Sequence, residues 1–152
     1  MLDRVRRVLP AVWAGVLLCL ALMATPAPFA VLERADAGRV VGRIFAQEAW
    51  LALVLPVLLL VLERGRAKAA AALGDGSALS TDMLLVLATV FCTVAGYFAI
   101  QPLLPAARAG QGGLSFGQLH AISTMFFGLK TLLVLVLAWR GTRPTALIAT
   151  RR

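Results

Sequence analysis

The sequence predicts an all-α integral membrane protein, a bundle of four transmembrane helices forming one domain over 1–152. Three observations carry that prediction. The 152 residues are 61% hydrophobic and 14% charged, whereas an ordinary soluble domain is about 45–50% apolar and roughly 25% charged. Long runs free of charge recur along the chain, each close to the length of about 20 residues that crosses a bilayer. The charges fall between those runs: every basic residue except Lys130 lies between or beyond them.

The first run, Val8 to Leu32, follows Arg4, Arg6 and Arg7. A basic start before an apolar stretch is also how a signal peptide reads. Cleavage after Ala27 would place Pro28 beside the cut, so a retained helix is expected, ending near Thr25 ahead of Pro26 and Pro28. The segment Glu33 to Arg43 carries five charges and is helix-compatible, with Asp36 placed to cap a helix start. Gly38, Gly42 and Ala46 recur every four residues, a stripe of small side chains that lets another helix approach closely. A second helix is therefore expected over 36–62, with Pro56 tolerated at mid-span. Arg64, Arg66 and Lys68 follow, then an Ala/Gly/Ser stretch that reads as a loop to Ser80. A third helix is expected over 83–104, with Thr89, Thr93, Gly96 and Ile100 on one face and with Pro102 and Pro105 closing it. The fourth, 116–139, ends on Trp139 and Arg140.

The net charge of +8 raises the question of nucleic acid. No segment joins basic and aromatic residues on a polar surface, so nucleic-acid binding is excluded as an expectation. The basic residues instead set topology. Arg4, Arg6, Arg7, Arg64, Arg66, Lys68, Arg140, Arg143, Arg151 and Arg152 fall on one side, against Arg34, Arg39, Arg43 and Arg108 on the other. This asymmetry places both termini inside, at a multi-pass bacterial inner (cytoplasmic) membrane.

Polar groups inside a span are costly and are functional candidates by default. On the fourth helix His120, Ser123, Thr124, Phe127, Lys130 and Thr131 fall within a sector of about 120°. The bland alternative is that the hydroxyls bond back to their own helix. Lys130 lies ten residues before Arg140, about 15 Å of helical rise, too far for its stem alone to span. Glu48, Tyr97, Gln101, Gln118 and His120 form an expected outer layer. In that layer Glu48 and His120 could share a site, a carboxylate orienting an imidazole. Direct pairing of Glu48 with Lys130 is not expected, because their depths counted along the helices differ by over about 10 Å.

Cys19 and Cys92 lie in apolar runs without a CxxC spacing and read as small packing residues. One histidine and four scattered methionines give no metal set, and no cofactor is expected. No P-loop, dinucleotide-binding glycine motif, HExxH or GxSxG occurs, and no enzyme activity is expected.

The stretch Ala37-Gly38-Arg39-Val40-Val41-Gly42-Arg43-Ile44-Phe45 resembles a glycine-bearing signature of the transmembrane-protein-205-like family, whose bacterial members are known as a domain of unknown function. Phe116-Gly117-Gln118-Leu119-His120-Ala121-Ile122-Ser123 is similar to that family's Phe-x-x-x-His-Gly-x-Ser pattern, and Ala88-Thr89-Val90 matches a run in its third helix. Ala121 replaces a glycine, and Phe127 stands where relatives often carry asparagine; both make the helix less polar there. The resemblance implies a compact four-helix membrane domain and points to Gly38, Gly42, Phe45, His120 and Ser123. Eukaryotic relatives are associated with tolerance to toxic metal-containing compounds.

Two functional expectations follow. In one, a polar pocket inside the bundle, drawn from Glu48, Tyr97, Gln101, His120, Ser123, Thr124 and Lys130, serves transport or efflux. In the other, the bundle is a scaffold or assembly subunit that packs through Gly38, Gly42, Phe45 and Ala46. A metal- or haem-binding redox subunit using His120 is a weaker third. The expected partners are the lipid bilayer and either a second copy or another membrane protein; no small-molecule ligand is named by the sequence.

Overall fold

The computed structural model describes residues 2–72, 74 and 79–142. Arg143, Arg151 and Arg152, counted in the charge asymmetry, lie outside the described residues, as do positions 73 and 75–78 of the Ala/Gly/Ser stretch. Four helices are long and apolar enough to cross a membrane: α1 (Arg4–Val31), α2 (Arg34–Ala72, its apolar span Arg34–Lys68), α3 (Thr81–Arg108) and α4 (Phe116–Gly141). They form a ring in which α1 packs on α4, α4 on α3, α3 on α2 and α2 on α1. The described chain contains no strand. The chain is a multi-pass membrane protein built as a four-helix bundle in a lipid environment.

Every helix runs further than the proline and charge signals predict. In α1 the regular helix Leu2–Cys19 passes into a π-helical turn, Leu20–Ala24, and resumes as Pro26–Val31. The amide and the hydroxyl of Thr25 both donate to the Leu20 carbonyl, at 2.9 and 2.7 Å. Pro26 then occupies a helix start, where its missing donor costs nothing. The prolines therefore bend α1 rather than end it. The same device recurs in α3, where Thr81–Thr93 gives way to a π-helical Val94–Ala99. A 3₁₀ turn, Gln101–Leu103, and a short helix, Leu104–Arg108, follow. Both prolines of the expected terminator stand at the starts of these segments, and Ala106 to Arg108 are helical rather than loop. α2 begins at Arg34, not Asp36, and continues past Arg64, Arg66 and Lys68 to Ala72, 39 residues in all. At 1.5 Å per residue that is about 58 Å, so its basic end projects well beyond the hydrocarbon.

The two ends of the bundle differ. At the end bearing the chain start, the α2–α3 connection and the close of α4, called here the terminal end, the interior is filled. Trp13, Leu17, Ala52, Leu59, Val86, Val134 and Leu137 form one buried apolar cluster drawn from all four helices. Ion pairs ring it. Arg6 of α1 binds Glu63 of α2 at 2.7 Å, Arg66 reaches both Glu63 and Asp82 of α3, and Arg140 of α4 binds Asp82. At the opposite, distal end the interior is open, and a small cluster of Ile100, Leu104 and Leu119 packs α3 against α4.

Candidate functional site

α4 starts on a capping box: the Ser115 side chain accepts from the Gln118 amide while the Gln118 side chain accepts from the Ser115 amide. Gln118 is thereby committed to the helix start and exposed, outside the polar layer expected of it. Further along α4, Ser123, Phe127 and Lys130 turn inward and the exposed His120 stands at the rim. They meet Phe45 and Glu48 from α2, Cys92, Gly96, Tyr97 and Gln101 from α3, and Thr25 from α1 around one cavity of about 280 Å³.

The floor of that cavity is an ion pair. Lys130 Nζ donates to Glu48 Oε1 at 2.7 Å and to Oε2 at 2.8 Å, and both side chains are 4% exposed. The depth count from the sequence is corrected here, for a physical reason. It treated Glu48 as the outer boundary of an apolar run beginning at Ala49. The charged segment before it is itself helix, so Glu48 stands fourteen residues after Arg34, and Lys130 stands fourteen after Phe116. Each is about 21 Å from the distal end of its helix, and both side chains lean toward that end, as helical side chains do. The Phe127 ring lies 5.1 Å from Lys130 Nζ, and Phe45 meets Phe127 edge-on at 5.2 Å.

The expected Glu48–His120 contact is not formed: Glu48 pairs with Lys130, and His120 stacks on Phe116 instead. His120 lies ten residues up α4, its ring stacked on Phe116 with centroids 5.7 Å apart, and the Arg108 guanidinium lies 4.6 Å from the centre of the Phe116 ring. His120 thus belongs to the rim of the cavity. The polar stripe divides three ways. Thr124 and Thr131 donate to the carbonyls of His120 and Phe127 on their own helix, at 2.8 and 2.9 Å. Ser123 crosses to α3 and donates to the Gly96 carbonyl at 2.6 Å. Lys130 alone reaches α2. On α3, Thr89 and Thr93 are buried and donate to Val86 and Thr89 carbonyls, leaving Tyr97 and Gln101 as the polar groups of that wall.

The small-residue stripe behaves differently from its expectation. Gly38 and Gly42 have no atom within 4 Å of where a Cβ would be built, and Gly42 and Phe45 are respectively exposed and half-buried. Ala46 is half-buried. Within the chain this stripe makes no close helix contact. The close approach is at Gly96 instead, where an added Cβ would lie 2.4 Å from Phe126 Cβ. Cys92 is buried and Cys19 exposed, both free thiols. Among the described residues no three His, Cys, Asp or Glu side chains converge as a metal set would.

Residues 8–112 match a family described as a domain of unknown function, DUF4149. The chain belongs to that family. The matched DUF4149 region covers α1 to α3 and the loop beyond; the stretch Phe116 to Ser123 and Lys130 lie outside it. Comparison with curated proteins and with solved structures finds no match.

Sequence reasoning missed two contributors. Cys92, Gly96 and Thr25 line the cavity; Gly96 lies within one π-helical turn and Thr25 closes the other, and no residue pattern announced those turns. The terminal ion-pair ring was legible in principle. Glu63 and Asp82 are acidic residues flanking otherwise basic span ends, and counting acids alongside bases would have marked them.

Proposed function

We propose that this DUF4149 protein is a small-solute transporter or efflux-related protein whose distal cavity binds its cargo over the Glu48–Lys130 pair. The observation that carries this reading is the placement of a buried, hydrogen-bonded ion pair at the floor of a polar cavity. Desolvating two charges is expensive, and apolar residues of like volume often stabilise as well or better. A pair that serves only packing has no need of a cavity above it. Pockets of this kind, mainly apolar with a few convergent polar groups, form between the helices of bundles. The charge asymmetry supports an orientation with both termini in the cytoplasm, so that the cavity faces outward from a bacterial inner membrane. The resemblance to the transmembrane-protein-205-like family supports efflux-linked tolerance to toxic compounds.

The test is growth of cells expressing the protein across a panel of toxic organic and metal-containing compounds. Wild-type protein is expected to raise tolerance to at least one of them. His120→Ala and the charge-balanced double variant Glu48→Gln/Lys130→Met are expected to abolish that gain while remaining inserted at wild-type levels. Retained tolerance in both variants sinks the pocket reading.

A second reading is favoured by one observation, the open space at Gly38 and Gly42. In it the bundle is a scaffold, with this face of α2 receiving a second copy or another membrane helix. Loss of a copurifying complex in Gly42→Leu, with His120→Ala silent, would select it.

A further inference from the structure

We infer that the ligand of the distal cavity is a small zwitterion, a net-neutral molecule with separated cationic and anionic groups, bound antiparallel across Glu48 and Lys130. This rests on the pocket reading above and names its substrate class.

Charge balance carries the inference. Glu48 and Lys130 are the two full charges among the residues lining the cavity, and each is the other's partner through two short hydrogen bonds. An anion that drew Lys130 away would strand Glu48 in a desolvated site, and a cation that drew Glu48 away would strand Lys130. Breaking a buried pair on one side is strongly unfavourable because the remaining charge is uncompensated. A ligand carrying both signs avoids that cost. Its anionic group meets the ammonium, its cationic group meets the carboxylate, and the four charges close into a ring with no net charge added.

The hydrogen-bonding capacity fits. An ammonium has three donors and a carboxylate about four acceptor sites; the pair uses two of each, so both groups retain capacity for a ligand. The hydroxyls of Thr93, Ser123 and Thr124 are committed to backbone carbonyls. The further donors of the lining are then those of Tyr97, Gln101 and His120. The Phe45–Phe127 edge contact beside Lys130 presents an apolar flank to a short carbon chain. A cavity of about 280 Å³ is at the small end for ligand sites, which suits a molecule of a few heavy atoms with some water.

The experiment uses the full chain in lipid nanodiscs, labelled with ¹⁵Nζ-lysine. Lys68 and Lys130 are its two lysines, so the spectrum holds two ammonium signals, assigned with Lys68→Arg. The probes are three zwitterions (glycine, β-alanine and taurine) and three matched compounds (propionate, propylammonium and propionamide). At least one zwitterion is expected to move the Lys130 signal saturably. The matched compounds at the same concentration should shift it by less than a tenth as much, with Lys68 unmoved. A response to propionate or propylammonium as large as to any zwitterion overturns the zwitterion assignment. So does the absence of any response. Exchange of the Lys130 ammonium with D₂O then separates the two levels of inference: fast exchange leaves a wet pocket whose ligand is of another class, and slow exchange means a dry floor, so that the pocket reading falls too.

Discussion

Lys130 and Glu48 hold each other where neither could stand alone. At 4% exposure each charge relies on its partner, so removing one is expected to cost about 3–5 kcal/mol. Lys130→Met and Glu48→Gln should each lower stability by that order in a denaturant titration in bicelles. The double variant should be more stable than either single one, because no charge is left unpaired. Additive losses in the double variant would show that the two groups are screened by water and act independently. This is also where the sequence was most and least legible. It marked both residues as out of place in a span, because an ionisable group among apolar neighbours is visible in one dimension. It did not pair them, because depth depends on where each helix begins, and a charged segment such as Glu33 to Arg43 does not announce whether it is helix or loop. The same holds for His120, which was marked correctly as polar in a span but assigned a partner that Lys130 occupies.

Among the elements, α1 and α3 share a construction that α2 and α4 lack. Each changes from α to π winding in its distal half, at Leu20–Ala24 and Val94–Ala99, and each then meets a proline at the start of the next segment. π-turns widen a helix and free carbonyls, and they recur at functional sites. Here the hydroxyl of Thr25 takes the Leu20 carbonyl, and that of Ser123 takes the Gly96 carbonyl. At Gly96 the Phe126 side chain of α4 fills the space a Cβ would need. Gly96→Ala is expected to destabilise the bundle by about 1–3 kcal/mol, as overpacking does, since Phe126 Cβ would lie 2.4 Å from the new atom. Gly42→Ala, with open space around it inside a long helix, should be neutral to stabilising by up to about 1 kcal/mol. The pair of variants, compared by the same unfolding titration, separates a glycine needed for contact from one facing outward. The sequence placed Thr89, Thr93 and Gly96 on a contact face correctly, because a regular period reveals a face. It marked Gly38, Gly42 and Ala46 as a stripe that lets another helix approach for the same reason, but periodicity does not tell a face turned toward the bundle from one turned away. The π-turns were invisible because they depend on how a helix resolves a downstream proline against its neighbours, not on a local signature.

At the scale of the whole molecule, the asymmetry between the ends decides what the cavity can do. The apolar cluster of Trp13, Leu17, Leu59, Val86 and Val134 fills the bundle below the ion pair, and the Arg6–Glu63–Arg66–Asp82–Arg140 network fastens all four helices at that end. On the proposed reading, a solute enters from the distal side and reaches Glu48 and Lys130 in a blind vestibule, and passage past the apolar plug would require the helices to repack. Cysteine labelling tests this directly in a Cys19→Ser, Cys92→Ser background. Gln101→Cys, half-buried at the mouth, is expected to react with a membrane-impermeant thiol reagent added to intact cells and not in inside-out vesicles. Val86→Cys, 1% exposed within the plug, is expected to react from neither side. Labelling of Gln101→Cys only in inside-out vesicles would reverse the orientation that the basic residues predict while leaving the vestibule intact. Labelling of Val86→Cys from both sides would mean a continuous aqueous path, and the bundle would then work as a channel rather than a binding site with one door.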